Sequence, residues 1–255
     1  IANPNSVEQL MRTAIDIANE RNAEIEVMSV VTVPEQTPLS EGRKFVGSER
    51  EVLDKAIEFA GDSDVPVHGT IRIGHDVAKA ILNTVDFVLG SNVDRVVTGA
   101  KCDVLVERIG SEGQVNRILL PTAGGSHAEL AAEIAHSISV PNDADIDIVY
   151  VVDPGASESE RKDAEKKLKS TEEVLEGYDR VSTRLIEGTD VVDTIVDESE
   201  GYDITIIGAT REGMLQQLVF GVIPEQVGKR ARNTVIMAKR YTGIKTWLNR
   251  WLRWR

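Results

Sequence analysis

This chain repeats itself, and a repeat restricts the architecture before any single residue does. Ala23-Glu24-Ile25-Glu26-Val27-Met28-Ser29-Val30-Val31 superposes on Ala144-Asp145-Ile146-Asp147-Ile148-Val149-Tyr150-Val151-Val152. In both, acidic and apolar residues alternate and then give way to a β-branched run, the pattern of a strand entering a buried sheet. Upstream, Ser6-Val7-Glu8-Gln9-Leu10 parallels Ser126-His127-Ala128-Glu129-Leu130. Each opens an Ala/Ile-rich segment with helical spacing, and its serine is placed to cap the first turn.

Further along, Gly74-His75-Asp76-Val77 with Ile81 matches Gly188-Thr189-Asp190-Val191 with Ile195, at an offset of 114. Nearer the end of each half, Gly90-Ser91, Val96, Ala100-Lys101 and Val104-Leu105-Val106 match Gly221-Val222, Val227, Ala231-Arg232 and Val235-Ile236-Met237, at an offset of 131. The first half therefore lacks 17 residues, the counterpart of 201–217. That block contains Ile204-Thr205-Ile206-Ile207, which reads as a buried parallel strand ending at Gly208. Ile1 aligns with Pro121, so the strand equivalent to Arg117-Ile118-Leu119-Leu120 is missing as well.

The second half carries the whole unit. Its patterns predict strands at 117–120, 145–152, 181–187, 203–207 and 234–238, with helices at 128–139, 158–176, 191–200 and 224–231. Such alternation gives a parallel sheet with helices on both faces. The polar, glycine-rich Gly110-Ser111-Glu112-Gly113 reads as a linker. It divides the chain into a first domain at 1–109, a second at 114–240 and a tail at 241–255.

The order of elements, the exit from Leu120-Pro121 into Gly124-Gly125-Ser126, and the run from Ile207-Gly208-Ala209 to Gly221-Val222-Ile223-Pro224-Glu225 resemble the universal stress proteins. The likeness spans nearly all of the chain before the tail. Gly208-Ala209-Thr210-Arg211-Glu212-Gly213, followed by Gln216-Gln217-Leu218-Val219-Phe220, looks like the cytoplasmic stress-protein domains appended to archaeal amino-acid permeases. The resemblance implies an α/β fold of two tandem open twisted parallel five-stranded sheets with helices on both faces, similar to the adenine nucleotide alpha hydrolases. It also implies that the first and fourth strands lie in the middle of each sheet. Those are the two strands missing from the first half. A sheet without them would leave flanking N–H and C=O groups unpaired in a dry interior, at about 1–3 kcal/mol each. Residues are therefore expected to be absent before Ile1 and between Asp86 and Phe87.

Nucleotide-binding members of that family carry Gly-x-x-Gly, nine residues, then Gly-Ser/Thr, with an Asp at the end of the first strand. Glycines there let backbone N–H groups approach phosphate oxygens, and a helix N-terminus completes the cradle. In the second half Gly208 is followed by Arg211 at the second-glycine position, and Gly221 has Val222 beside it in place of the hydroxyl. The Asp position falls on Ala123. Spacing survives while chemistry is lost, although Gly124, Gly125, Ser126 and Gly213 keep an anion-binding character. The first half retains Gly90-Ser91, with Asn3 at the Asp position. Gly90-Ser91 reads equally as a phosphate cradle or as a plain loop and N-cap. Arg211 reads as a forked phosphate donor or as a solvated loop arginine. ATP or AMP is the ligand the resemblance implies, and no cofactor is fixed by the sequence.

Other chemistry finds little support. With 42 acidic against 29 basic residues the net charge is −13, spread along the chain, which opposes nucleic-acid binding. The single cysteine, Cys102, permits no intrachain disulfide and, at the start of an apolar strand, is expected to be a buried thiol. His68, His75, His127 and His136 have no metal-ligand spacing, and no metal is expected. No Gly-x-Ser-x-Gly elbow is present, so catalysis is not expected. No run of 18 apolar residues and no signal-peptide pattern occurs in the chain, which is expected to be cytoplasmic.

The tail changes character. Trp247, Trp251 and Trp254 accompany Lys245, Arg250, Arg253 and Arg255, and Ile244, Trp247, Leu248, Trp251 and Leu252 fall at helical spacing. Such a basic amphipathic helix suits an anionic membrane at its inner face, a transmembrane transporter region, the protein's own acidic body or a dimer partner. A homodimer or an intrachain pseudo-dimer is expected. The function these readings favour is a non-catalytic regulatory module of an amino-acid transporter. The alternative is a free-standing stress protein that binds ATP or AMP.

Overall fold

A computed structural model describes residues 6–61, 63–77, 80–81, 100–110, 113–210 and 220–242 of the 255-residue chain. The elements run α1 (Val7–Arg21), β1 (Ile25–Thr32), a 3-10 segment (Leu39–Phe45), α2 (Gly47–Ala60), β2 (Val67–Gly74), β3 (Val104–Arg108) and β4 (Arg117–Pro121). There follow α3 (Ser126–Asn142), β5 (Asp145–Val152), α4 (Glu158–Glu172) with a 3-10 extension (Glu173–Leu175), β6 (Val181–Glu187), α5 (Val191–Ser199), β7 (Ile204–Gly208), α6 (Val222–Arg230) and β8 (Thr234–Lys239).

Six strands form one sheet in the order β3-β8-β7-β4-β5-β6. Its last five members are mutually parallel, with β4 and β7 central, while β3 joins β8 antiparallel. The side-chain period of two sends Ile118 and Leu120 to one face and Leu119 to the other. Ile118 and Leu120 pack with Leu130, Ile134 and Ile138 of α3 and Leu168 of α4. Leu119 packs with Val149, Ile195 of α5 and Val227 of α6. Both faces are thus covered, which is why Ile118-Leu119-Leu120 of β4 is apolar throughout and β7 is apolar but for the buried Thr205. Helix starts follow local chemistry where polar caps exist. Ser157 and Glu160 form a reciprocal capping box for α4, and the Asp190 carboxylate accepts the Asp193 N–H at α5.

The first half differs from the expected five-stranded sheet. Among the described residues its own sheet has two strands, β1 and β2, paired in parallel, and its last strand, β3, lies in the other sheet. The positions where chain was expected to be missing, before Ile1 and at Asp86-Phe87, lie outside the described residues, as do Asn3, Gly90, Ser91 and the tail from 243 onward. Met11 of α1, Val27 of β1 and Leu53 and Ala56 of α2 make a small separate core. Helix α1 then packs on α3.

The registers repeat. Ile25 faces Val67 in β1/β2 and Ile146 faces Val181 in β5/β6, so the sequence offsets carry one ladder onto the other. Asn22 and Asp143, equivalent under the same offset, both end their helices in the left-handed conformation, at φ 48° and 51°. The β3/β8 ladder is centred on Val106 opposite Met237, which are also equivalent positions.

Two local expectations are corrected. Ser6 and Ser126 make no capping hydrogen bond. Ser6 sits at φ −102°, ψ 1°, outside the extended region a capping residue needs, and Ser126 is already inside α3 because Gly125 takes the N-cap. Cys102 is exposed and outside β3, since the ladder begins only at Val104 opposite Lys239.

Candidate ligand crevice

The sheet order reverses between β4 and β7. Strand β4 leads through α3 toward β5 on one side, and β7 leads through α6 to β8 on the other. Ligands of open α/β sheets sit outside the carboxyl ends of strands at such a switch point. Here that place is bounded by the turn Thr122–Ser126 and by the start of α6.

Glycines shape both sides. Gly124 and Gly125 have φ of 76° and 85°, a region that side chains disfavour, and they swing the chain from β4 into α3. The Gly124 N–H donates to Thr122 Oγ1 at 3.0 Å, and that hydroxyl pairs with Thr171 Oγ1 of α4 at 2.8 Å. Gly221 caps α6 at φ 94°, and a side chain there would strike Thr210 Oγ1. The Thr210 hydroxyl is buried and has no hydrogen-bond partner among the described residues, while the Thr210 N–H donates to Phe220 O at 2.8 Å. Gly208 ends β7 against the first turn of α3. A Cβ on it would lie 2.6 Å from the His127 carbonyl.

Two helix amino ends, of α3 and α6, therefore bound the crevice, each with the partial positive charge of unpaired N–H groups. Lys167 of α4 lies beside Gly124, its ammonium 3.2 Å from Tyr150 Oη and 5.2 Å over the ring. His127 Nδ1 accepts the Arg240 N–H at 3.1 Å, which places the ring proton on Nε2. Arg240 itself is held by Glu133 at 2.5 Å.

Residues 114–239 match the model described as the Universal stress protein family. This part of the chain is similar to a universal stress protein domain. A universal stress protein of Methanocaldococcus jannaschii is 24% identical over 144 residues, 51% of this chain and 85% of that protein. In fold, the chain is similar to a universal stress protein from Archaeoglobus fulgidus, with a TM-score of 0.61 at 16% identity, covering 89% of this chain and 91% of the other. A functionally unknown protein from Pseudomonas aeruginosa gives a TM-score of 0.53 at 15% identity, over 89% and 86% of the two chains.

Within the matched part, Gly124, Gly125, Ser126, Gly208 and Gly221 come together at the switch point. Arg211 and Gly213 lie outside the described residues, as do Asn3, Gly90 and Ser91 of the first half. Ala123 is exposed at the mouth, where it offers only a methyl group, and exposed Val222 opens α6. Sequence reasoning passed over Thr122, Thr171, Thr210 and Lys167. Thr171 and Lys167 belong to another helix, and only their spacing of four, which puts them on one face of α4, hints that they act together. Among the described residues no group of three His, Cys, Asp or Glu converges on a metal position, and no helix is long and apolar enough to cross a membrane.

Proposed function

We propose that the chain is a non-catalytic sensing module, built of two stress-protein units in tandem, that regulates a partner rather than transforming a substrate. The observation that carries this reading is the exposed Ala123 methyl at the end of the central strand, where a nucleotide-binding relative would present a carboxylate. Val222 likewise replaces the hydroxyl expected after Gly221. Backbone donors at two helix ends still suit an anion, but nothing at these two positions anchors a ribose or a base. The matching registers of β1/β2 and β5/β6, and the β3/β8 ladder centred on equivalent residues, support a tandem repeat that forms its own pseudo-dimer. The permease-like Gly208–Gly213 sequence supports a place at the cytoplasmic end of an amino-acid transporter. The basic tail with Trp247, Arg250, Trp251 and Arg253 would then reach the transporter or the inner membrane face.

Titration calorimetry of the full chain with ATP and with AMP tests the reading. The expected result is no saturable heat below about 1 mM nucleotide and no phosphate release from ATP. Micromolar binding would overturn it and favour the free-standing nucleotide-binding stress protein, a reading that the intact Gly90-Ser91 pair supports.

A further inference from the structure

A cavity of about 270 Å³ lies at the amino ends of β4 and β7, far along the strands from the crevice above. It is walled by α1 on one side and by the last turn of α3 on the other. Two opposite charges one helical turn apart on α1, Arg12 and Asp16, line it. The Arg12 guanidinium stacks on Phe59 at 5.4 Å, and among the described residues its donors make no hydrogen bond or ion pair. Asp16 Oδ2 accepts a hydrogen bond from Asn142 Nδ2 at 3.0 Å, which leaves Oδ1 without one among the described residues. Burial pushes the Asp16 carboxyl up to about 6, against the opposing effects of Asn142 and Arg12. Its charge is thus incompletely compensated.

We infer that this cavity is a binding site for a small zwitterion of the α-amino-acid class, its carboxylate on Arg12 and its ammonium on Asp16. An isolated anion would meet the Asp16 carboxylate, and an isolated cation would meet the Arg12 guanidinium. A molecule that carries both charges a few ångströms apart neutralises both at once. Side chains four apart on a helix stand about 6 Å from each other at Cβ, a span that such a ligand bridges with a hydrogen bond at each end. The Gln114 amide lines the same space and adds a donor and an acceptor, Asn142 Oδ1 adds an acceptor, its two N–H groups being held by Asp16 and Ile138, and Phe59 offers an apolar wall. The volume lies just below the usual range for drug-sized ligands and suits a ligand of few heavy atoms.

Calorimetry and thermal shift with glycine and alanine test this, with acetate and methylammonium as single-charge controls. The zwitterions are expected to saturate, and each control to bind at least tenfold more weakly. Arg12→Gln and Asp16→Asn should each weaken glycine binding tenfold or more with an unchanged circular dichroism spectrum. Asp16→Asn should melt no lower than the parent without ligand, because it removes a desolvated charge. Arg12 is exposed, so its substitution keeps the test open even if Asp16→Asn fails to fold. Absence of saturation up to about 50 mM glycine overturns the site. Equal binding of acetate, or undiminished binding to Arg12→Gln, does the same. The outcome is independent of whether ATP or AMP binds at the crevice.

Discussion

Gly208 illustrates how a glycine in a ligand motif can also be fixed by packing. Its missing side chain faces the backbone of His127 and Ala128 at 2.6–2.8 Å, so β7 and the start of α3 touch with nothing between them. Gly208→Ala is expected to push α3 outward at a cost of about 1–3 kcal/mol, lowering the melting temperature by several degrees. Gly47→Ala is the matched control, because open space surrounds Gly47 at the start of α2, and it should leave the melting temperature unchanged or slightly raised. A scanning fluorimetry comparison of the two variants checks both. The motif glycines were legible in the sequence from their spacing, Gly208 and Gly221 standing where the family pattern places glycines that let the backbone approach a phosphate. The contact between Gly208 and His127 was not, since residues 81 positions apart carry no local signal of their approach.

The elements of the second half were largely legible. The strands at 145–152 and 181–187 and the start of α5 at Val191 match the observed bounds, because alternation and capping chemistry are local. Helix α3 runs three residues past its predicted end, through Pro141, because tertiary and side-chain bonds hold the last turn. Asn142 Nδ2 donates to Ile138 O at 2.7 Å, and the Ala144 N–H donates to Ser139 O beyond the left-handed Asp143. The seam between α1, β3 and α3 was not legible, since its partners are about a hundred residues apart. There Thr13 donates to Glu107 Oε1 at 3.2 Å, and burial pushes the Glu107 carboxyl up to about 7 despite its hydrogen bonds with Thr13 and Gln9. A carboxyl raised in the folded state holds its proton more tightly there, so its favourable contribution is complete below its ordinary value of 4.5 and is lost as pH rises toward about 7. Asp16, raised from 3.8 to about 6, acts in the same direction over a slightly lower range. Urea denaturation at a series of pH values should show stability falling from about pH 4.5 to pH 7, by a few kcal/mol at most. Glu107→Gln should flatten that fall, and an unchanged slope would show that the seam does not set it.

Across the whole molecule, β3 joins the halves: it follows the first unit in sequence and completes the sheet of the second in space. Gly110, just after it, is pressed against the backbone of Arg232 and Asn233, and the Arg108 guanidinium donates to the Ala231 and Asn233 carbonyl oxygens. The polar, glycine-rich sequence that reads as a free linker is thus anchored at its first residue. Composition reports turn preference and says nothing of what a distant strand will cover. Val106→Pro, at the centre of the ladder, should detach β3 and turn a single urea transition into two, with amide exchange of β3 rising well above that of β7. Co-migrating transitions in this variant would mean that α1 on α3 suffices to couple the halves.

The exposed thiol of Cys102 has a practical use. It stands two residues ahead of the joining strand, beside Asp103, whose carboxylate takes the Tyr241 N–H at 2.8 Å just where the basic segment departs. A single fluorophore or spin label attached to the native cysteine, with no engineered substitution, would sit at the root of that segment. Its mobility and solvent contact, read with and without anionic vesicles, would show where the tryptophans go.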